Sequence, residues 1–167
     1  MDKWSLSWQD VENMTLAVAR EIHLSNWRPD LIIGLDRGGL PVSVMLSHYL
    51  RVPHDSLKVS LRDNPDTESL LWAPEVVLDG KKILIVDDIN DSGATQAWIK
   101  EDWASAVAVT CPDFVDRYWH TSVKFAVLVD NESSPEDADF AGKTINKAEH
   151  DVWVDFPWES WWCRKTR

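Results

Sequence analysis

Cysteine, glycine and positive charge are scarce in this chain: of 167 residues two are Cys and six Gly, and 17 Lys and Arg face 28 Asp and Glu. Cys111 and Cys163 lie far apart without metal or redox spacing, so a thiol-ligated metal or dithiol centre is excluded and a reduced, cytosolic chain is expected. The net charge of −11 excludes a broad nucleic-acid-binding face, which needs clustered Lys and Arg. No apolar run approaches the roughly 18 residues of a membrane helix. The opening MDKWSLSWQD has no apolar core of the kind a secretory leader carries, so none is expected. Five histidines (His23, His48, His54, His120 and His150) are scattered without ligand spacing. What is abundant is tryptophan, eleven residues against two Tyr and four Phe. Most are expected in the core or at subunit contacts, Trp158, Trp161 and Trp162 among them, with one or two left to stack on a ligand.

A hydrophobic content of 44% with 27% charge is ordinary globular usage, and the length suits one domain over residues 1–167. Ser7 to Leu24 reads as an amphipathic helix with Trp8, Val11, Thr15, Val18 and Ile22 on one stripe and Ser7 and Asp10 as a capping box. DLIIGL (Asp30 to Leu35) predicts a strand buried on both faces, then an Arg37-Gly38-Gly39 loop and a helix opened by Pro41 and reaching Leu50. Ser56 to Leu61 predicts a strand and Arg62 to Pro74 a polar surface loop. Asp79-Gly80 is a turn before the strand Lys82 to Asp87, and a helix follows from Gly93 or Ala94 to about Trp103. Residues 105–122 are ambiguous: AVAV suits strand or helix, and Pro112 opens a short helix. Lys124 to Asp130 is a buried strand, residues 131–151 are loop-like, and HDVWVDFPW is a final extended segment. Strands alternating with helices predict an α/β protein with a mostly parallel central sheet flanked by helices.

The segment Ile83 to Thr95, ILIVDDINDSGAT, carries the chemistry. An apolar strand ends in Asp87 and Asp88, and Asp91, Ser92, Gly93, Ala94 and Thr95 lead into a helix. In open α/β sheets ligands collect at the carboxyl ends of strands. Gly93 permits a tight turn, successive N–H groups at a helix start surround a phosphate, and Ser92 and Thr95 add hydroxyl donors. Ionised Asp87 and Asp88 only accept hydrogen bonds, which suits sugar hydroxyls or a hard cation.

This segment resembles the phosphoribosyl-pyrophosphate (PRPP) motif of type I phosphoribosyltransferases. IIGLDRGGLP resembles the pyrophosphate loop of the purine branch, the xanthine-guanine and hypoxanthine-guanine enzymes. ADFAGKTI and VWVDFPWE resemble later segments, so the likeness spans most of Leu31 to Glu159 in the family's order. It implies the type I fold with a small hood built from parts of residues 1–28 and 131–167. It implies PRPP and a nucleobase, a purine first, as substrates, Mg²⁺ as cofactor, a homo-oligomer (dimer or tetramer), and neither nucleic acid nor membrane as partner. By the same resemblance Asp87 and Asp88 meet the ribose hydroxyls and Mg²⁺, Asp88 foremost. Asp91 to Thr95 hold the 5-phosphate, with Asp91 also the acid–base catalyst on the nucleobase. Arg37, Gly38 and Gly39 bind pyrophosphate, Trp153 stacks on the base, Val154 offers backbone groups to its edge, and Asp155 lies near the metal's waters. The loop Arg62 to Pro74 is the expected lid.

One departure bears on the base. Where 6-oxopurine enzymes carry a Lys after the strand matching Phe125–Val129, this chain has Asp130-Asn131, which implies a weakened donor for a base carbonyl. Two rival functions stand beside transfer: a PRPP-sensing regulator on the same fold, and a non-catalytic interaction protein using its tryptophan-rich surface.

Overall fold

The structure, a computed structural model, describes residues 1–59, 61, 69 and 71–164. Five strands form the central sheet in the order β3-β2-β4-β5-β6: β2 (Leu31–Asp36), β3 (His54–Lys58), β4 (Ile83–Asn90), β5 (Val123–Asn131) and β6 (Phe140–Ile145). Every pairing in it is parallel. Parallel strands need crossovers, and helices supply most of them. Side-chain alternation sends Ile32, Leu84, Val86, Ala126 and Leu128 to one face, against α1 (Trp8–Leu24) and α2 (Leu40–Leu50). Ile33, Leu35, Ile83, Ile85, Phe125 and Val127 go to the other, with α3 (Trp72–Leu78), α4 (Ala94–Ala106) and α5 (Phe114–Tyr118). Both faces are covered, which is why β2, β4 and β5 are near-continuous apolar runs.

Helix α1 begins as its sequence predicts: the Ser7 hydroxyl accepts from the Asp10 N–H at 3.0 Å and the Asp10 carboxylate accepts from the Ser7 N–H at 2.7 Å. Trp8, which its spacing puts on the buried stripe, is instead 57% exposed. It stands in the first turn, before the stripe meets the sheet, with its ring beside Trp158.

Several predicted boundaries shift. Strand β3 runs from His54 to Lys58 rather than from Ser56 to Leu61, because its pairing with β2 begins at Ile32–His54 and ends at Asp36–Lys58. Most of the expected lid, Arg62 to Pro74, lies outside the described residues, and its last part is helical. Trp72, Ala73 and Pro74 open α3, where a proline in the first turn removes an N–H that has no helical partner anyway. Strand β4 continues past Asp87 to Asn90, held by β5 through Asp130, so the two acids are strand residues and the loop is only Asp91–Gly93. AVAV is neither a strand nor a separate helix: it closes α4 and passes into turns.

The largest correction is β6, which lies inside the segment read as loop. As the edge strand its burial alternates weakly, Phe140 inward and Lys143 and Thr144 exposed, so no apolar run announces it. A second sheet of two parallel strands stands apart from the first: β1 (Asp2–Ser5) pairs with β7 (Val152–Asp155), in register from Asp2–Val152 to Ser5–Asp155. It carries the two chain ends together beside the carboxyl ends of the central strands.

Candidate active site

Strand order reverses between β2 and β4: the chain passes outward from β2 to β3, then returns to β4 on the other side of β2. The loops leaving β2 and β4 therefore diverge and leave a crevice at their carboxyl ends. The β2 loop is Arg37–Gly39, entered through a cis Asp36–Arg37 peptide. It lies against β4 so closely that a Cβ on Gly38 would overlap the Asp88 carboxylate and one on Gly39 would meet the Val86 and Leu35 carbonyls. At Gly39, where the clash is with backbone, glycine is required by space; at Gly38 a side chain would displace the Asp88 carboxylate. Arg37 itself is exposed and does not line the cleft.

The cleft holds about 350 Å³ and runs along Asp87 to Gln96, the end of β4 and the first turn of α4. Gly93 takes φ +80° at the helix N-cap, a left-handed backbone that other residues adopt only under strain. Asp87 and Asp88 each accept a backbone N–H from the next residue, at 2.9 and 2.8 Å. Facing this floor are Trp153 and Val154 of β7, then Phe156 and Glu159. Trp153 is 43% exposed although its neighbours Val152, Val154 and Asp155 are buried, so its ring is not spent on the core. Phe156 is fully buried and stacks on Trp158 at 5.1 Å, which stiffens the segment that follows Trp153.

Of the residues singled out from the sequence, the cleft brings together Asp87, Asp88, Asp91, Ser92, Gly93, Ala94, Thr95, Trp153 and Val154. Six do not line it: Arg37, Gly38 and Gly39 of the β2 loop, and Asp130, Asn131 and Asp155. Asp130 accepts from the Asn90 amide at 2.8 Å, and burial, with the charges of Asp137 and Glu132, raises its carboxyl above the ordinary value against that hydrogen bond. Asn131 is buried, donating to the Asp91 carbonyl at 2.9 Å and accepting from the Lys147 N–H at 3.0 Å. Neither offers an edge to a base, so that placement is corrected. Asp155 is also corrected: its carboxylate is bound by Lys3 at 3.1 Å, Arg164 at 3.0 Å and Ser5 at 3.1 Å. It ties the second sheet together and does not line the cleft.

Two cleft residues had escaped the sequence reading. Glu159 lines the cleft: burial raises its carboxyl above the ordinary value, and the nearby charges of Asp88 and Asp155 push the same way. Lys147, in the turn after β6, meets Asp91 with its ammonium 2.9 Å from Oδ1 and 3.1 Å from Oδ2. It is the one Lys or Arg lining the cleft among the described residues, against four carboxylates, Asp87, Asp88, Asp91 and Glu159. Lys147 sits in no local motif, and Glu159, though it ends the VWVDFPWE segment, carried no assigned role. Lys147 follows β6 and Glu159 follows β7, so the fold brings both to the end of β4.

The phosphoribosyl transferase domain model matches residues 7–161. The chain belongs to the phosphoribosyltransferase family. Among curated relatives, xanthine phosphoribosyltransferase 1 of Saccharomyces cerevisiae is 20% identical over 95% of this chain and 90% of its own length. The xanthine-guanine phosphoribosyltransferase of Idiomarina loihiensis is 25% identical over 92% of this chain and 85% of its own. Among solved structures, a purine phosphoribosyltransferase from Pyrococcus horikoshii superposes with a TM-score of 0.69 at 26% identity, over the whole of both chains. The parallel sheet and its flanking helices are those of the type I phosphoribosyltransferase fold. Among the described residues no helix is long and apolar enough to cross a membrane.

Proposed function

We propose that this phosphoribosyltransferase joins a purine base to the ribosyl group of PRPP, releasing pyrophosphate. The observation that carries this reading is a single cleft in which Asp87-Asp88, the Asp91–Thr95 helix start and the half-exposed Trp153 face one another. The names of the three relatives given above, two of xanthine or xanthine-guanine enzymes and one of a purine enzyme, support the choice of base.

In this reading the N–H groups and hydroxyls of Ser92 to Thr95 bind the 5-phosphate at the start of the 13-residue helix α4. Asp87 and Asp88 accept from the ribose hydroxyls. The Gly38 N–H, with Arg37 beside it, receives pyrophosphate, where a guanidinium makes a two-pronged anion contact; the Gly39 N–H is already given to the Leu35 carbonyl at 2.9 Å. The base slides under Trp153, with the Val154 backbone at its edge, and Asp91 accepts the proton lost from its ring nitrogen as the new bond to ribose C1 forms.

An acid-lined cleft repels a polyphosphate unless a cation intervenes. Among the described residues no group of three or more His, Cys, Asp or Glu is placed to hold a metal by itself. That donor set suits Mg²⁺, which binds through one or two carboxylates plus substrate oxygens and water. Asp87 and Asp88, with Glu159 facing Asp88, would hold the ion or its waters. When bound it supplies charge that stabilises the departing pyrophosphate.

Titration calorimetry with PRPP, followed by chromatography for nucleoside monophosphate after adding a purine, tests the reading. Heat that depends on Mg²⁺ and a nucleotide product are expected. Heat without product from any base would leave the sensor, and no heat at all the interaction protein.

A further inference from the structure

Lys147 belongs to no motif, yet its contacts and those of Asn131 close a ring around Asp91. The ring spans three segments that follow one another in sheet order. Asp91 lies in the three-residue loop after β4, Asn131 ends β5, and Lys147 follows β6. Asn131, only 6% exposed, donates from Nδ2 to the Asp91 carbonyl at 2.9 Å and accepts on Oδ1 from the Lys147 N–H at 3.0 Å. The same Oδ1 takes the Ser133 hydroxyl at 2.7 Å, which fixes the amide plane. Lys147 closes the ring with its ammonium across both oxygens of the Asp91 carboxylate.

We propose that Lys147, registered by Asn131, is a positioning residue that aims the Asp91 carboxylate at the base. The proposal rests on the reading of Asp91 as the proton acceptor. A carboxylate on a short loop turns about its terminal torsions, and a useful acceptor must present a lone pair within about 2.6–3.2 Å of the proton it takes. A cation held by its own backbone, contacting both oxygens, removes that freedom before substrate arrives. It also sets one positive charge beside Asp91 in a cleft otherwise lined by Asp87, Asp88 and Glu159. The 5-phosphate contacts come from backbone and hydroxyl groups of Ser92 to Thr95, so aim and PRPP binding are separable.

The test compares Lys147→Met, Lys147→Arg and Asp91→Asn with wild type. Each is measured for kcat and KM on an oxo and an amino purine and for PRPP affinity by calorimetry, with melting curves as the check on folding. Lys147→Met is expected to lower kcat about 10- to 100-fold on both bases, as small misplacements of a reacting group do. PRPP affinity should stay within about threefold, and Lys147→Arg, whose fork also spans a carboxylate, should recover most of the rate. Lys147→Gln replaces Lys147→Met if the latter melts more than a few degrees early. An unchanged kcat, a loss confined to the oxo purine, or an equal loss of PRPP affinity would each overturn the proposal. If Asp91→Asn keeps its rate, the reading of Asp91 fails; if Asp91→Asn loses its rate while Lys147→Met keeps it, only the positioning role fails.

Discussion

Replacing Asp155 by Ala separates a structural carboxylate from a metal-site one. The Asp155 side chain is 11% exposed and binds Lys3, Ser5 and Arg164, so its loss is felt across β1, β7 and the chain end. Lys3 is 59% exposed, and such a pair contributes well under about 1 kcal/mol. The Ser5 hydroxyl contributes about 1 kcal/mol, and the charge-assisted contact with Arg164, itself 25% exposed, about 1.5–3 kcal/mol. Arg164 is not orphaned, because it still donates to the Leu6, Asp155 and Phe156 carbonyls. The expected cost is therefore about 3 kcal/mol rather than the larger penalty of a stranded buried charge. For a chain of this length that is a fall of roughly 6–12 °C in Tm.

The pH dependence has a definite sign. Burial pushes the Asp155 carboxyl up, but hydrogen bonds from Lys3 and Ser5 and the charges of Arg164 and Lys3 together outweigh it and hold it below the ordinary range. A lowered folded value means stabilisation that is complete above about pH 4 and lost as pH falls through the folded value. The deficit of Asp155→Ala should be full at neutral pH and shrink in acid. Denaturant melts at pH 7 and in strong acid measure it, alongside Mg²⁺-dependent PRPP binding below the new Tm. A variant that melts like wild type but loses its Mg²⁺ dependence would return Asp155 to the metal and refute the reasoning.

Three further outcomes are expected. Asp91→Asn keeps an acceptor but cannot take up a proton, so kcat should fall about 10²- to 10⁴-fold in steady-state assays while calorimetric PRPP affinity changes little. Trp153→Ala should raise KM for every base by about one to two decades, the scale of a lost base–aromatic stack of roughly 1–3 kcal/mol, without moving Tm by more than a few degrees. Glu159→Gln removes a carboxylate whose ionised form is disfavoured by burial and by Asp88, so at neutral pH Tm should rise or hold while Mg²⁺-dependent PRPP affinity falls; a fall in Tm with unchanged affinity would count against it.

The fold was legible wherever burial is two-sided. Leu31–Asp36, Ile83–Asn90 and Val123–Asn131 are covered on both faces, so each announces itself as an apolar run. Phe140–Ile145 is an edge strand with one inward face and polar residues outward, and a single sequence cannot tell that from a loop. Asp2–Ser5 is a strand only because β7 comes back to meet it across some 150 residues of chain. Pro74 was read as punctuation because its place in the first turn of α3 depends on where the helix begins.

The same contrast runs through the site. Asp87 to Thr95 lie on one strand–loop–helix unit, so their order in sequence is their order in the cleft. Lys147 and Glu159 arrive from separate segments and carry no spacing signal. The missing Lys after β5 had implied a weakened donor at the base; Lys147, one strand end along, places an ammonium in the same cleft. Asp155 and Glu159 are four residues apart, and only the ion pairs with Lys3 and Arg164 show which of them is already spent.

The central claim is most directly tested by pyrophosphate release from PRPP and Mg²⁺, measured with and without hypoxanthine, guanine, xanthine and adenine in turn. The account predicts release that requires a purine base and matches nucleotide formed one for one. Saturable PRPP binding with no base-dependent release on any member of the panel would contradict it.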